Sequence, residues 1–397
     1  MSVSATSRRT ICIVTGTRAE YGLLSRLMRA VRDDADLTLQ VIATGMHLSP
    51  EFGLTVQHIE ADGFTVDARV EMLLSSDSPV GIAKSTGLGV IGFADAIARL
   101  KPDLLVVLGD RFEIFAATQA ALPARVPIAH IHGGETTEGA MDEAIRHAIT
   151  KLSHLHFTSA EVHRRRVIQL GEQPDRVFNM GAPGLDNIAH TPLMGRVELE
   201  KSLGFELGGM DPEAPLFLVT YHPVTLANES PRRAFGEITT ALDSFPRSRI
   251  IFTKANADTD GRVINTMLDE YVTAHPERMI AFTSMGQVRY LSAMKYADAV
   301  VGNSSSGIIE APFIKTATVN IGSRQRGRLQ ADSIINCEDS AEEIRRALLH
   351  ALDPETRRRT AQTVSPYGDG NATERIVGIL KTHPLEDLVI KRFYDLP

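Results

Sequence analysis

The sequence predicts an α/β protein of two doubly wound parallel-sheet domains, and three observations predict it. Short β-branched runs alternate with amphipathic helical stretches. The alternation pauses once, at GAPGLDNIAHTP (181–192), and then resumes. Each run ends in turn residues that lead into a helix. Buried runs bounded in this way form a parallel sheet covered by helices on both faces.

In the first half, TICIVT (10–15), LTLQVIA (37–43), DLLVVLG (103–109), VPIAHIH (126–132) and HLHFTS (154–159) read as buried strands. Amphipathic stretches such as 19–32 and 80–100 lie between them. In the second half the strands are PLFLVTY (215–221), RIIFTK (249–254), MIAFTS (279–284), AVVGN (299–303) and ATVNIG (317–322). Residues 1–190 therefore form an N-terminal Rossmann-like domain and 191–370 a second one, hinged near 185–212. Residues 371–397 form a C-terminal helix and tail that pack back on the first domain.

Hydrophobic residues make up 43% of the 397 and charged residues 23%, the balance of a soluble globular protein. A net charge of −7 argues against a general nucleic-acid binder. The basic run RRR (164–166) reads as the wet face of a helix, while RQRGR (324–328) suits phosphate. Cys12 and Cys337 give neither a disulfide framework nor a metal cluster and read as buried thiols. The N-terminus has no apolar signal region and no run reads as a membrane span, so a cytoplasmic protein without a membrane partner is expected.

Ligands of open α/β sheets gather at the carboxyl ends of strands, which makes the polar residues there the candidates. In GTRAEYG (16–22), Gly16 permits a tight turn and Arg18 stands beside a helix N-terminus. That is a phosphate cradle or an ordinary surface arginine; the GxGxxG spacing and a Walker lysine are both missing. In GNSSSGIIEAP (302–312), Ser304, Ser305 and Ser306 offer hydroxyls and free N–H groups to an anion, and Glu310 suits ribose hydroxyls. A serine cap with a helix-stabilising glutamate accounts for part of this, but three serines exceed what a cap needs. Arg324 closes a further strand in NIGSRQRGR (320–328). Asp110 of GDRFE, His222 of TYHPVT and His47 of ATGMHLS stand at other strand ends.

The stretch HIHGGETTEGAMDEAIRH (130–147) holds three histidines and four carboxylates around a double glycine. A strand period of two puts His130 and His132 on one side, so a metal pair completed by Glu135 or Asp142 is geometrically open. The spacing matches no established metal motif, and a site without metal is expected. The second half reads as a helix with Met141, Ile145, Ala148, Ile149 and Leu152 on its apolar stripe. Asp142 and Glu143 then fall in its first turn, where the helix field favours ionised carboxylates. Glu135, in the GGE turn, has a different environment, and two carboxyls in different environments run acid and base steps.

In this order, GTRAEYG, GDRFE, the 130–157 stretch, TYHPVT, GNSSSGIIEAP and NIGSRQRGR resemble the hydrolysing UDP-N-acetylglucosamine 2-epimerases, over about residues 10–380. The resemblance implies a glycosyltransferase-B-like fold, a homodimer or homotetramer, a UDP-sugar substrate, and no cofactor or metal. It implies two steps: removal of the C2 proton with loss of UDP, giving a glycal, then addition of water with protonation of C2 from the other face. Asp110 and Asp142 match the acid–base carboxylates, with Glu143 beside them. His222 matches a histidine near the diphosphate that assists departure of UDP. Arg18 and Ser304 to Ser306 match diphosphate contacts, Glu310 a ribose contact and Arg324 a nucleotide-side arginine. His47 and Asn256 match sugar or nucleotide contacts.

One position departs from the family. Relatives that read HIEGGE carry a catalytic glutamate where this chain has His132. Either His132 takes that role, with an imidazole near neutral pH, or Glu135 does. The expected reaction converts UDP-N-acetylglucosamine to N-acetylmannosamine for sialic-acid-type sugars. The alternative substrate is UDP-2,4-diacetamido-2,4,6-trideoxyglucose, on the route to legionaminic acid. A UDP-sugar transferase of the same fold would need an acceptor and keep the C2 hydrogen. A nucleotide-sugar-binding regulator would show no turnover.

Overall fold

The computed structural model describes residues 8–74, 76, 78–136, 141–208, 214–222, 231–254, 261–283 and 285–397. The first sheet contains β1 (Arg9–Thr15), β2 (Leu37–Thr44), β3 (Ala68–Val70), β4 (Leu104–Leu108), β5 (Ile128–Ile131), β6 (Leu155–Thr158) and β7 (Val177–Asn179). Its order is β3-β2-β1-β4-β5-β6-β7. The second contains β8 (Leu216–Thr220), β9 (Arg249–Thr253), β10 (Met279–Phe282), β11 (Ala299–Gly302), β12 (Ala317–Ile321) and β13 (Ile334–Cys337), in the order β10-β9-β8-β11-β12-β13. Every pairing is parallel. Strand order reverses between β1 and β4 and between β8 and β11, and at such points the connections diverge and leave room for a ligand.

All ten strands read from the sequence are present. The three it missed, β3, β7 and β13, are sheet edges. An edge strand pairs on one side and is only partly buried, so it carries no long apolar run.

Alternate residues of β1 serve two cores. Ile11 and Ile13 pack with Leu24, Leu27 and Met28 of helix Arg18–Asp33 and with Ile376 and Leu380 of helix Ala372–Thr382. Cys12 and Val14 pack on the other face with Phe93 and Ile97 of helix Pro79–Leu100 and Ile114 of helix Phe112–Ala121. In β8, Phe217 and Val219 meet Phe235 and Ile238, while Leu216 and Leu218 meet Met294 and Leu199. Continuous apolar runs follow from burial on both faces.

The chain divides into two compact units, Met1–Ala189 with Tyr367–Pro397, and His190–Pro366. The tail is tied to the first unit by polar contacts as well as by Ile376 and Leu380. Asp186 accepts the N–H groups of Ala372 (3.0 Å) and Thr373 (2.5 Å). Buried Glu172 pairs with Lys151 at 2.6 Å, His156 at 3.0 Å and Lys391 at 2.7 Å. Burial works to raise its pKa, but these partners outweigh burial and hold it at about 2.

Several local expectations change. The pause at 181–192 contains the helix Pro183–His190, with Pro183 at the first position, where its missing N–H costs nothing. Of the three arginines at 164–166 only Arg165 is well exposed. Arg164 donates to the Val177 and Pro174 carbonyls, and Arg166 to that of Gly134. Met141 is 56% exposed rather than part of the apolar stripe. Cys337 is half-buried, whereas Cys12 is fully buried. Helix Pro79–Leu100 is long and apolar enough to cross a membrane, which the sequence reading did not register. One side of it, with Phe93, Ala96 and Ile97, belongs to the core.

Gly302 ends β11 at φ +131°, and a Cβ there would lie 1.9 Å from the Thr220 carbonyl oxygen. Gly302→Ala is expected to destabilise the second unit by about 2–3 kcal/mol and to lower its melting transition by roughly 5–10 °C in calorimetry. An unchanged transition would refute the close approach.

Candidate active site

In the first unit the candidate residues leave the carboxyl ends of neighbouring strands. Gly109 turns the chain off β4 at φ +82° and presents Asp110. The Gly109 N–H donates to the Ile131 carbonyl at 3.0 Å, and its own carbonyl accepts from His130 Nε2 at 2.8 Å. His130 is fully buried, and desolvation pushes it down to about 3, so its ring is neutral. Its Nδ1 lies 3.2 Å from the Thr150 hydroxyl. His130 is thus committed to the Gly109 turn.

The His130–His132 metal pair is not formed. β5 stops at Ile131 and His132 adopts the left-handed region at φ +68°, so the strand alternation does not extend to it. Among the described residues, no group of three or more His, Cys, Asp or Glu is arranged to hold a metal ion.

His132 Nδ1 instead lies 2.7 Å from Glu135 Oε1. The Ser159 hydroxyl donates to the same oxygen at 2.5 Å and lies 2.9 Å from His163 Nδ1. Burial alone would raise the Glu135 pKa. The charge and hydrogen bond of His132, with the bond from Ser159, overcome this and hold it at about 2. The turn between them needs glycine at Gly134, where φ is +79° and a Cβ would meet the His163 carbonyl oxygen at 2.4 Å. Arg166 donates to the Gly134 carbonyl and fixes the turn from outside.

Asp110 is paired with Arg146 of the helix Met141–Leu152. Arg146 is only 5% exposed and also reaches Glu143 at 3.4 Å, whose other oxygen is 3.0 Å from His147 Nε2. The sequence reading passed over this arginine. A signal existed: a carboxylate at a buried strand end calls for a cation, and Arg146 lies one turn beyond Asp142 and Glu143. Asp142 is half-buried in the first turn. Next to Asp110, Arg111 forks onto fully buried Glu113 at 2.9 and 3.2 Å. Burial opposes the Arg111 charge, but Glu113 and, with smaller effect, Glu20 and Asp142 outweigh it.

Arg18 is exposed at the first position of helix Arg18–Asp33, capped by the Thr17 hydroxyl. Glu20 accepts the Gly16 N–H at 2.7 Å and closes the turn before Arg18; desolvation raises it to about 7. His47 is fully buried, with Nε2 3.0 Å from the Thr15 hydroxyl and Nδ1 2.8 Å from that of Thr55. Burial lowers it to about 4, so the ring is neutral, and both its nitrogens are engaged at the strand end.

In the second unit Asn303 joins the ends of β8 and β11. Its side chain accepts the His222 N–H and donates to the His222 carbonyl, both at 2.8 Å. The Asn303 carbonyl in turn accepts from Arg324 at 2.9 Å and Gln325 at 2.8 Å. His222, the serine run and the arginine loop are therefore one linked structure. Ser304 caps the helix Ser305–Ile314 through the Ser306 N–H, and the Ser306 hydroxyl is 2.5 Å from Tyr290 OH. Glu310 lies in the second turn, half-buried, and desolvation raises it to about 7. Asn256 lies outside the described residues.

Comparison with known proteins places this arrangement. The family model for UDP-N-acetylglucosamine 2-epimerase matches residues 29–381. A GDP/UDP-N,N'-diacetylbacillosamine 2-epimerase (hydrolyzing) of Campylobacter jejuni is 44% identical, over 84% of this chain and 85% of its own. A UDP-N,N'-diacetylbacillosamine 2-epimerase (hydrolyzing) of Legionella pneumophila is 35% identical, over 97% and 98%. The crystal structure of the Neisseria meningitidis UDP-GlcNAc 2-epimerase bound to UDP-GlcNAc superposes with a TM-score of 0.74 at 18% identity, covering 94% of this chain and 99% of that one. The two parallel-sheet domains are those of the glycosyltransferase-B-like fold. The chain belongs to the UDP-N-acetylglucosamine 2-epimerase family and is a hydrolysing UDP-sugar 2-epimerase.

Proposed function

We propose that the chain acts on UDP-2,4-diacetamido-2,4,6-trideoxyglucose, releasing UDP and the free 2-epimeric sugar, with His132 as an acid–base group. The observation that carries the acid–base reading is the His132–Glu135 pair at 2.7 Å. A carboxyl held at about 2 is ionised at working pH and cannot deliver a proton. It accepts Nδ1–H and orients the ring, and Nε2 is the nitrogen proposed to exchange the proton, the division of labour of a carboxylate–histidine pair. The choice of sugar is supported by the names of the two relatives above. A second reading, UDP-N-acetylglucosamine, is favoured by the ligand of the Neisseria structure.

In the first step a base takes the C2 proton and the C1–O bond breaks, its electrons leaving with the β-phosphate oxygen. In the second, water oxygen bonds to C1 while C2 takes a proton on the opposite face. Asp110, Asp142 and His132 are the groups proposed to move these protons, with Glu143 supporting Arg146. Arg18 and Ser304 to Ser306 hold the diphosphate, His222 assists its departure, Glu310 accepts from ribose, and Arg324 fixes the Asn303 turn. The protein works in the cytoplasm as a homo-oligomer, the former supported by its two free cysteines.

Offered each sugar nucleotide in D2O without acceptor, the enzyme is expected to release UDP and a free 2-epimer carrying deuterium at C2, faster from the diacetamido substrate. Product without deuterium would sink the elimination route, and preference for UDP-N-acetylglucosamine would reverse the choice of sugar. Asp110→Asn, Asp142→Asn and His132→Gln are each expected to lower kcat about 10²- to 10⁴-fold with UDP affinity nearly unchanged. Wild-type turnover in any of them would remove that residue from the proton transfers.

Glu310 gives a pH signature. Its free carboxyl sits at about 7, and accepting ribose hydroxyls requires the ionised form, so binding releases a proton below that pH. Affinity for the UDP-sugar should weaken as pH falls from 8 to 6, approaching about tenfold per unit below pH 7. Glu310→Gln should bind more weakly and lose the slope in calorimetry. A slope that survives in Glu310→Gln belongs to another group.

A further inference from the structure

We propose that Ser159 and His163 are positioning residues for the reaction: they form a hydrogen-bonded chain behind Glu135 that fixes the His132 tautomer and tempers the hold of Glu135 on its charged form. They extend the acid–base reading of His132, on which this inference rests, to residues that act through Glu135. Ser159 is the first residue beyond β6, the strand next to β5, and is followed by the helix Glu161–Gln169. His163 lies in the first turn of that helix. Ser159 is 1% exposed and His163 5%. The Tyr367 ring lies against His163 with the centroids 6.3 Å apart.

Each proton in the chain has one place. Glu135 is ionised, so Oε1 only accepts, and it meets the Ser159 hydroxyl at 2.5 Å and His132 Nδ1 at 2.7 Å. A serine hydroxyl has a single proton. With that proton given to Glu135, the Ser159 oxygen accepts from His163 Nδ1, 2.9 Å away. His163 therefore carries its proton on Nδ1. Burial lowers its pKa, and the positive end of its helix also disfavours an imidazolium, so the ring is neutral. His163 thus holds the Ser159 rotor in one orientation and polarises the hydroxyl it holds.

Two donors on one carboxylate oxygen divide its charge. Facing His132 alone, Glu135 would hold the imidazolium tightly, and the ring would be slow to give up a proton. The Ser159 bond takes part of that charge and brings the imidazole back toward neutral pH, where it can both accept and return a proton. The other charged and titratable groups around the pair are bonded elsewhere. His130 of β5 holds Gly109, Arg146 of helix Met141–Leu152 pairs with Asp110 and Glu143, and Arg166 of helix Glu161–Gln169 holds the Gly134 carbonyl. His163 is joined to Glu135 itself, through Ser159.

The test is histidine 13Cε1 and 15N NMR of the full chain through a pH titration, beside steady-state kinetics on its preferred UDP-sugar. His132→Gln identifies the His132 signal. Above its pKa, the wild-type 15N shifts should place the His132 proton on Nδ1. Ser159→Ala is expected to raise the His132 pKa by about half a unit to one unit, a shift of about three- to tenfold in its proton equilibrium. The same variant should lower kcat at pH 7 about 10- to 100-fold with KM nearly unchanged, and move the kcat limb due to His132 to higher pH. His163→Leu should act in the same direction. His163→Asn, whose amide places an N–H near the position of Nδ1, should restore both titration and kcat. Circular dichroism checks that each variant is folded, and Ser159→Ala, which adds no bulk, carries the test where His163→Leu does not fold. A wild-type proton on Nε2, or a His132 titration unmoved in folded Ser159→Ala, overturns the chain. A moved titration with wild-type kcat overturns its part in the reaction. Wild-type turnover in His132→Gln instead removes the acid–base reading, while the titration still reads the chain.

Discussion

Parallel strands that end in a functional edge must turn their chain off the sheet within one residue, and that requirement shapes the candidate residues of each unit. The turns fall in the left-handed region: Gly45 at φ +56°, Gly109 at +82°, Gly302 at +131° and Gly322 at +72°. Glycine meets the requirement without steric cost. His132, directly after β5, meets it at +68° with a side chain, at a cost of about 1–2 kcal/mol. Strain persists where surrounding contacts over-determine it. Here the His132 N–H is fixed by the Phe157 carbonyl at 3.0 Å and its ring by Glu135. The strain is stored at the one residue by which this chain departs from the HIEGGE pattern.

Behind several half-buried candidates stands a residue that holds each in place. His130 fixes the Gly109 turn, Arg146 holds Asp110, Ser159 holds Glu135, and Asn303 holds the His222 backbone. Environment then separates residues of one type. Glu135, faced by His132 and Ser159, is held at about 2, whereas Glu310, with desolvation acting alone, rises to about 7. The first is ionised near neutral pH, and in the proposed function the second would gain its charge as hydroxyls arrive to stabilise it.

The central strands and the carboxyl-edge residues were legible because burial on both faces writes an unbroken apolar run that must stop at a polar turn. That logic carries Asp110, His132 and the serine run directly. It fails where contacts come from elsewhere in the chain. Arg164 and Arg166 look like solvent residues locally, but they cap carbonyls at Val177 and Gly134. His47 stands at a strand end like the others, yet it is fully buried between Thr15 and Thr55, contacts that its local sequence does not announce. Helix Pro79–Leu100 looked like an ordinary amphipathic stretch because its outer face is built of alanine and glycine as well as leucine and isoleucine.

The exchange of glutamate for His132 also explains why Glu135 is positioned as it is. A carboxylate acid–base group needs no tautomer control, whereas an imidazole must present a chosen nitrogen. Residues 132 and 135 are three apart across two glycines, close enough for the second to grip the first only because Gly134 takes a backbone no side chain tolerates. A glutamate at 132 would face Glu135 at the same separation as a like-charged pair. One carboxyl would then be forced up and would hold a proton near neutral pH. In the proposed chemistry both arrangements yield a single exchangeable proton at the end of β5. They differ in its carrier: an imidazole is a rigid ring set by two side-chain torsions, whereas a glutamate carries its carboxyl on three. In the proposed function that difference in shape bears on the space left for a substituent on the sugar, and so would link the departure at His132 to the choice of substrate.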